Sequence, residues 1–222
     1  MINIAIDGPA GAGKSTIAKR VAKTLGILYL DTGAMYRAMA LQAFRSGIDV
    51  NDAEAVCAKL DFSLIRVAYQ ADGMHVYLGE EDVSQAIREN HVSKGASDIS
   101  KIPEVRLHLV ELQRKIAAEN HVVLDGRDIT SYVLPRAKYK FYLDASPEVR
   151  AKRRHSELAA KGVCIDYDKL LAEIIDRDYN DSHRAFAPLT RTEDSIYIDS
   201  SDLSIDEVAA LILSYVDEKV EA

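Results

Sequence analysis

Two hydrophobic periods alternate along this chain. Short, mostly apolar runs at Ile2 to Ile6, Ile27 to Leu30, His121 to Leu124, Tyr139 to Leu143 and Ile196 to Ile198 have the length of buried strands. Between them, apolar residues recur at helical spacing over Ile17 to Leu25 and Ala34 to Phe44, and from Pro103 through Val105, Leu109, Leu112 and Ile116. Asp31 or Thr32 is placed to cap the helix at Ala34, and a short acidic helix is expected near Asp52 to Leu60. A basic helix follows the run at Tyr139, a charged one spans about Asp166 to Arg184, and Ser204 with Glu207 forms a capping box for a closing amphipathic helix. Five strands alternating with helices predict an α/β fold, a parallel sheet covered on both faces. The rhythm breaks once. Phe62 to Tyr69 and Met74 to Leu78 read as strands around an Ala71-Asp72-Gly73 turn, and with polar Glu80 to Ser100 they read as an inserted hairpin subdomain.

Gly8 to Thr16, GPAGAGKST, falls between the first strand and the first helix. It satisfies the phosphate-loop pattern G-x-x-x-x-G-K-[ST] in the strand–loop–helix setting that the pattern needs. Gly8, Gly11 and Gly13 permit a backbone that turns successive N–H groups inward around an anion. The helix that follows aims its positive end at the same phosphates. Lys14 supplies a charge for the outer phosphates, and the Ser15 hydroxyl is placed to hold magnesium. The loop lies where parallel sheets bind ligands, at the strands' carboxyl ends.

Composition narrows the partners. With 35 acidic residues against 28 basic ones, the net charge of −7 argues against broad binding to nucleic acid. No apolar run approaches the roughly 20 residues of a membrane span. The first strand begins at Ile2, so no signal peptide is expected, and Cys57 and Cys164 read as reduced thiols of a cytoplasmic protein. A monomer is expected.

A phosphate loop alone means nucleotide binding. Arg177, Asp181 and Arg184 share one helix face, either as an ordinary solvated ion pair or, with Arg153 and Arg154 in the preceding helix, as a lid that closes over phosphates. Arg37 and Arg127 lie at helix and strand ends expected to face the same cleft. Asp125 is either a Walker-B-like acid that orders magnesium through water or a loop aspartate that stabilises its turn. Arg106 is offset from the apolar face of its helix, which places it at the surface, and Ser97 alone carries no information.

Three further segments join the phosphate loop in order: LDTGAMYR (Leu30 to Arg37), LDGRD (Leu124 to Asp128) and RDYNDSHRAFAPL (Arg177 to Leu189). Together they resemble bacterial cytidylate kinases, P-loop nucleoside monophosphate kinases, nearly end to end. The resemblance implies one kinase domain over 1–222, with its core in 1–60, 103–150 and 190–222, a monophosphate-binding insertion at about 61–102 and a helical lid at about 151–189. It implies transfer of the ATP γ-phosphate to CMP or dCMP, with magnesium. Gly8, Pro9, Ala10, Gly11, Ala12, Gly13, Lys14, Ser15 and Thr16 match the ATP cradle, with Ser15 and Asp125 (through water) at the metal. Thr32, Arg37, Arg127 and Arg184 match positions around the acceptor monophosphate; Ser97, Arg106 and Asp128 match those that read cytosine; Arg177 and Asp181 match those near the sugar; Tyr36 is a further substrate-binding position. Lys14, Arg127, Arg153 and Arg184 would carry the charge stabilisation of transfer.

The family usually follows Gly-Arg-Asp with a hydrophobic residue and then Gly-Thr; here Ile129 precedes Thr130 and Ser131, which restricts the backbone beside Asp128. A kinase for another small acceptor, such as UMP or shikimate, shares the loop but needs different acceptor-side residues. A regulatory GTPase needs an Asn-Lys-x-Asp segment, which this sequence lacks. A structural nucleotide-binding protein would not need so many separate arginines.

Overall fold

The computed structural model describes residues 1–160 and 162–216. Position 161 of the expected lid and positions 217–222 of the expected core lie outside the described residues. In chain order the elements are β1 (Asn3–Asp7), α1 (Lys14–Leu25), β2 (Leu28–Asp31), α2 (Thr32–Arg45), α3 (Ala53–Lys59), β3 (Ile65–Gln70), β4 (Gly73–Leu78), β5 (Glu81–Asp82), α4 (Asn90–Ile99), α5 (Pro103–Glu119), β6 (Val122–Gly126), β7 (Tyr139–Asp144), α6 (Pro147–Ala160), α7 (Tyr167–His183), β8 (Ile196–Asp199) and α8 (Ile205–Tyr215).

The main sheet has five strands in the order β2-β6-β1-β7-β8. The pairings of β1 with β6 and β7, and of β7 with β8, are parallel. The central position of β1 explains its composition: Ile4, Ala5 and Ile6 are fully buried. Each isoleucine contributes about 1.5–3 kcal/mol by leaving water. The register sets Asp7 level with Gly126 of β6 and Tyr142 of β7, so the chain leaves all three strands at one edge of the sheet. The phosphate loop and the Arg127-Asp128 segment start there.

The chain divides into two units, Met1–Leu28 with Asn120–Ala222, and Tyr29–Glu119. In the first, α6 and α7 pair through buried Ala151, Leu158, Leu170 and Ile174, with Ile165, Tyr167 and Leu171 packed against them. Asp166 caps α7 by accepting the Lys169 N–H, and Ser204 and Glu207 form the expected capping box on α8.

In the second unit α2 packs on α4, and β3, β4 and β5 form an antiparallel sheet. Three expectations change here. The strand expected from Phe62 begins only at Ile65, because Asp61 accepts the N–H and hydroxyl of Ser63 and winds Phe62–Leu64 into a 3-10 turn. The polar stretch Glu80 to Ser100 contains α4, whose Val92, Gly95, Ala96 and Ile99 are buried. A Cβ on Gly95 would run into the ring of Phe44, so this glycine lets α4 approach α2. On α5, Val105 and Leu109 are buried as expected, but Arg106, Val110, Gln113 and Ala117 complete the inner face while Leu112 and Ile116 are only half-buried.

Candidate active site

In the first unit, the loop between β1 and α1 is shaped by two glycines. Gly8 has φ 147° and lies so near the Leu143 carbonyl that a Cβ would collide with it. Gly13 stands in the left-handed region at φ 88° as the N-cap of α1. No side chain caps α1, and its first turn carries no acid. Its leading N–H groups are therefore positioned to receive an anion. Lys14 is buried and donates to the Pro9 carbonyl at 2.6 Å, folding its ammonium back over the loop. Burial, then Arg127, push its ammonium down to about 7, against the pull of Asp125, Asp7 and Asp181. The Ser15 hydroxyl donates to Asp125 Oδ2 at 2.8 Å.

A ring of arginines surrounds two buried aspartates. Arg127 Nε donates to Asp181 Oδ2 at 2.8 Å. Arg184 Nη2 stands 3.5 Å from Asp128 Oδ1, with both side chains buried, and its Nε donates to the Ala187 carbonyl at 2.6 Å. Burial opposes ionisation of Asp181, but Arg127, Arg177 and Arg184 outweigh it and hold the carboxyl below its ordinary range. The shared helix face of Arg177, Asp181 and Arg184 is thus an ion-pair network on a protein face, not a solvated one.

The lid arginines differ from expectation. Arg153 donates to the Ser200 carbonyl at 2.6 Å, and Arg154 pairs with Glu157 at the surface. The helix instead sends Arg150 to the phosphate loop: it donates to the Ala10 carbonyl at 3.0 Å and forks onto Asp178 of α7 at 2.5 and 3.1 Å. Its Cβ lies where a Cβ on Gly11 would make close contact. Sequence reasoning gave Arg150 no role. Its signal was its place one helical turn before Arg153 and Arg154, toward the strand.

In the second unit, Asp31 caps α2 by accepting the Ala34 N–H and also pairs with Arg37 at 2.8 Å. Thr32 and Tyr36 are buried beside it in sequence. Arg106 is 1% exposed, which corrects its expected surface position. Its guanidinium stands 5.4 Å from the centre of the Tyr36 ring and donates to the Ser100 carbonyl at 3.1 Å. The Ser100 hydroxyl in turn donates to the carbonyl of Ser97, which is half-buried. Tyr36, Ser97 and Arg106 are thereby gathered into one cluster.

The family model for cytidylate kinase matches residues 4–218. The chain belongs to the cytidylate kinase family. A cytidylate kinase of Caldicellulosiruptor saccharolyticus is 51% identical over 212 residues, covering 96% of this chain and 94% of that one. One from Clostridium acetobutylicum is 48% identical, with 99% of each chain covered. Among solved structures, shikimate kinase from Bacteroides thetaiotaomicron aligns over 98% of this chain and 99% of its own with TM-score 0.50 at 14% identity. A gluconokinase from Sinorhizobium meliloti aligns over 96% and 90% with TM-score 0.50 at 13% identity. These two share the phosphate-loop kinase fold, a five-stranded parallel sheet flanked by helices, while cytidylate kinases share the sequence.

The donor set around Ser15 fits the magnesium expected from the sequence. It offers one hydroxyl and one carboxylate, both oxygen, and no cluster of three or more His, Cys, Asp or Glu suited to a metal occurs among the described residues. Magnesium held by few protein ligands keeps its waters and takes substrate phosphate oxygens.

Proposed function

We propose that this chain transfers the γ-phosphoryl group of ATP to CMP or dCMP, giving ADP and CDP or dCDP, in pyrimidine nucleotide metabolism. One observation carries the reading: a phosphate loop with buried Lys14 and an arginine ring on Asp128 and Asp181 share one unit of a chain that matches cytidylate kinases from residue 4 to 218.

Residues 8–16 hold the ATP phosphates through backbone N–H groups and the end of α1. Ser15 and, through water, Asp125 would hold Mg2+, which when bound neutralises charge on the outer phosphates. Thr32, Arg37, Arg127 and Arg184 orient the acceptor monophosphate, and Tyr36 contacts the same substrate. Ser97, Arg106 and Asp128 contact the base, and Arg177 and Asp181 the sugar. Transfer passes charge onto peripheral oxygens, so Lys14, Arg127 and Arg184 contribute by electrostatic stabilisation and positioning. Arg153 joins them only by leaving the Ser200 carbonyl. The acceptor phosphate is ionised at neutral pH and needs no general base. No covalent intermediate forms.

The segment at about 61–102 acts as the monophosphate-binding insertion and 151–189 as the lid. No helix among the described residues is long and apolar enough to cross a membrane. Exposed free Cys57 and Cys164 suit a reducing compartment, and we place the chain in the cytoplasm as a monomer that needs no nucleic acid. ADP release measured with CMP, dCMP, UMP, AMP and shikimate in turn tests the function. Highest kcat/KM for CMP or dCMP is expected. Preference for UMP, AMP or shikimate overturns the acceptor and leaves the phosphate-loop kinase.

A further inference from the structure

Asp7 ends β1, immediately before Gly8, and is fully buried. Its Oδ1 accepts the Ile129 N–H at 2.9 Å, and its Oδ2 accepts both the N–H and the hydroxyl of Thr130 at 2.7 Å. Ile129 and Thr130 open the turn that follows Asp128. That turn is π-helical: the Val133 and Leu134 N–H groups reach back five residues to the carbonyls of Asp128 and Ile129. Such turns leave their leading N–H groups without internal partners. Asp7 satisfies two of them from a different strand. A buried carboxylate is costly unless it is fully hydrogen-bonded. Backbone supplies two of its three bonds. The third exists because position 130 carries a hydroxyl. The hydroxyl of the next residue, Ser131, is also buried yet has no hydrogen-bond partner, so burial of a hydroxyl in this turn does not by itself create such a bond.

We propose that Asp7 and Thr130 are positioning residues, a buried tie that fixes the phosphate loop and the Asp128 turn in one spacing. The proposal rests on the phosphoryl-transfer reading but not on Asp128 reading the base. It explains why a buried acid is tolerated at the end of the central strand: Asp7 is bonded on one side to the acceptor-side turn and continues on the other into the donor loop.

The tie has a pH dependence with a definite sign. Burial pushes the Asp7 carboxyl up to about 6, the Thr130 hydroxyl and N–H oppose that rise, and Asp128 adds to it. The other titratable groups that interact with it are Lys14 of α1, Arg127 after β6 and Tyr142 of β7. Protonated Asp7 places a donor where it should accept, so the tie slackens as pH falls. Removing the Thr130 hydroxyl moves that slackening to higher pH.

The experiment compares kcat/KM for CMP across pH in the unmodified protein, Thr130→Val, Thr130→Ser and Ser131→Ala. Substrate titrations are common to all and cancel in the ratios. Thr130→Val is expected to lose activity about tenfold on the acid side, its acid limb shifted up by about one unit, and to regain nearly full activity in alkali, which shows that it folds. Thr130→Ser and Ser131→Ala are expected to follow the unmodified profile. A uniform loss at every pH in Thr130→Val, the same shift in Ser131→Ala, or no rescue by serine overturns the tie. Amide exchange at Ile129 and Thr130 reads the same slackening without turnover. If the unmodified protein releases no ADP with CMP, the transfer reading fails, and pH-shifted exchange in Thr130→Val still decides the tie.

Discussion

Lys14 carries its charge poorly in the free protein. Its ammonium is buried against the Pro9 carbonyl and pushed down to about 7 from an ordinary 10.5. A depressed lysine costs stability below about 7, and that cost fades as pH rises towards 10.5. ATP phosphates restore the charged form, so binding should take up protons within that window. Calorimetry in two buffers of different ionisation enthalpy measures the uptake, and Lys14→Ala should abolish it while lowering turnover by orders of magnitude. Equal uptake in the variant removes Lys14 from the phosphates. Asp128 makes a second prediction. As proposed base contacts, an ionised Asp128 would accept and never donate, and Arg106 would donate and never accept, which would suit cytosine and oppose uracil. Asp128→Ala should narrow the CMP-to-UMP ratio of kcat/KM at least about tenfold, roughly 1.4 kcal/mol. Proportional loss on both acceptors would make Asp128 a support for Arg184, which stands 3.5 Å away. At this scale the phosphate-loop residues were legible because their motif carries its own geometry. Arg106 was not: helical spacing cannot show that a guanidinium is buried against Tyr36 and the Ser100 carbonyl.

The α6–α7 pair shows how an element acquires function through packing. Ala151, Leu158, Leu170 and Ile174 join the two helices, and Arg150 fastens them to the phosphate loop through Ala10 and Asp178. Removing one partner of such a pair strands the other, at a cost on the order of 3 kcal/mol when buried. Arg150→Ala should therefore weaken ATP binding more than Arg153→Ala does, and Arg150→Lys should not restore it, since lysine lacks the fork. Nucleotide-binding isotherms decide; equal effects would make the Ala10 contact incidental. The span of α7 and the start of α8 were readable from the sequence, and Asp166 and Ser204 both serve as N-caps. Helix α4 carries a helical apolar spacing at Val92, Ala96 and Ile99, but it is short and lies inside the polar stretch Glu80 to Ser100, which was read whole as part of the insertion.

Across the whole molecule, the proposed donor residues 8–16 belong to one unit and Thr32, Tyr36, Arg37, Ser97 and Arg106 to the other. Ligands should therefore protect the chain in two steps. ATP alone is expected to slow amide exchange over about 8–25, and adding CMP to extend protection to 32–45, 97–106 and the lid from about 153 to 187. Identical protection with ATP alone and with both nucleotides would refute closure driven by the acceptor. The alternation of strands and helices announced the parallel sheet, because buried strands and amphipathic helices differ in period. The division at Leu28 and Asn120 was not announced, since it follows from which elements pack together and not from any break in composition.

Each unit happens to carry one exposed thiol, Cys57 in Tyr29–Glu119 and Cys164 in the other. Burial, slight as it is, and the neighbouring Glu104 carboxylate push the Cys57 thiol up, which slows its reaction with maleimides relative to an unhindered thiol. The unaltered chain thus offers one exposed thiol in each unit for a reporter group, without a single engineered residue.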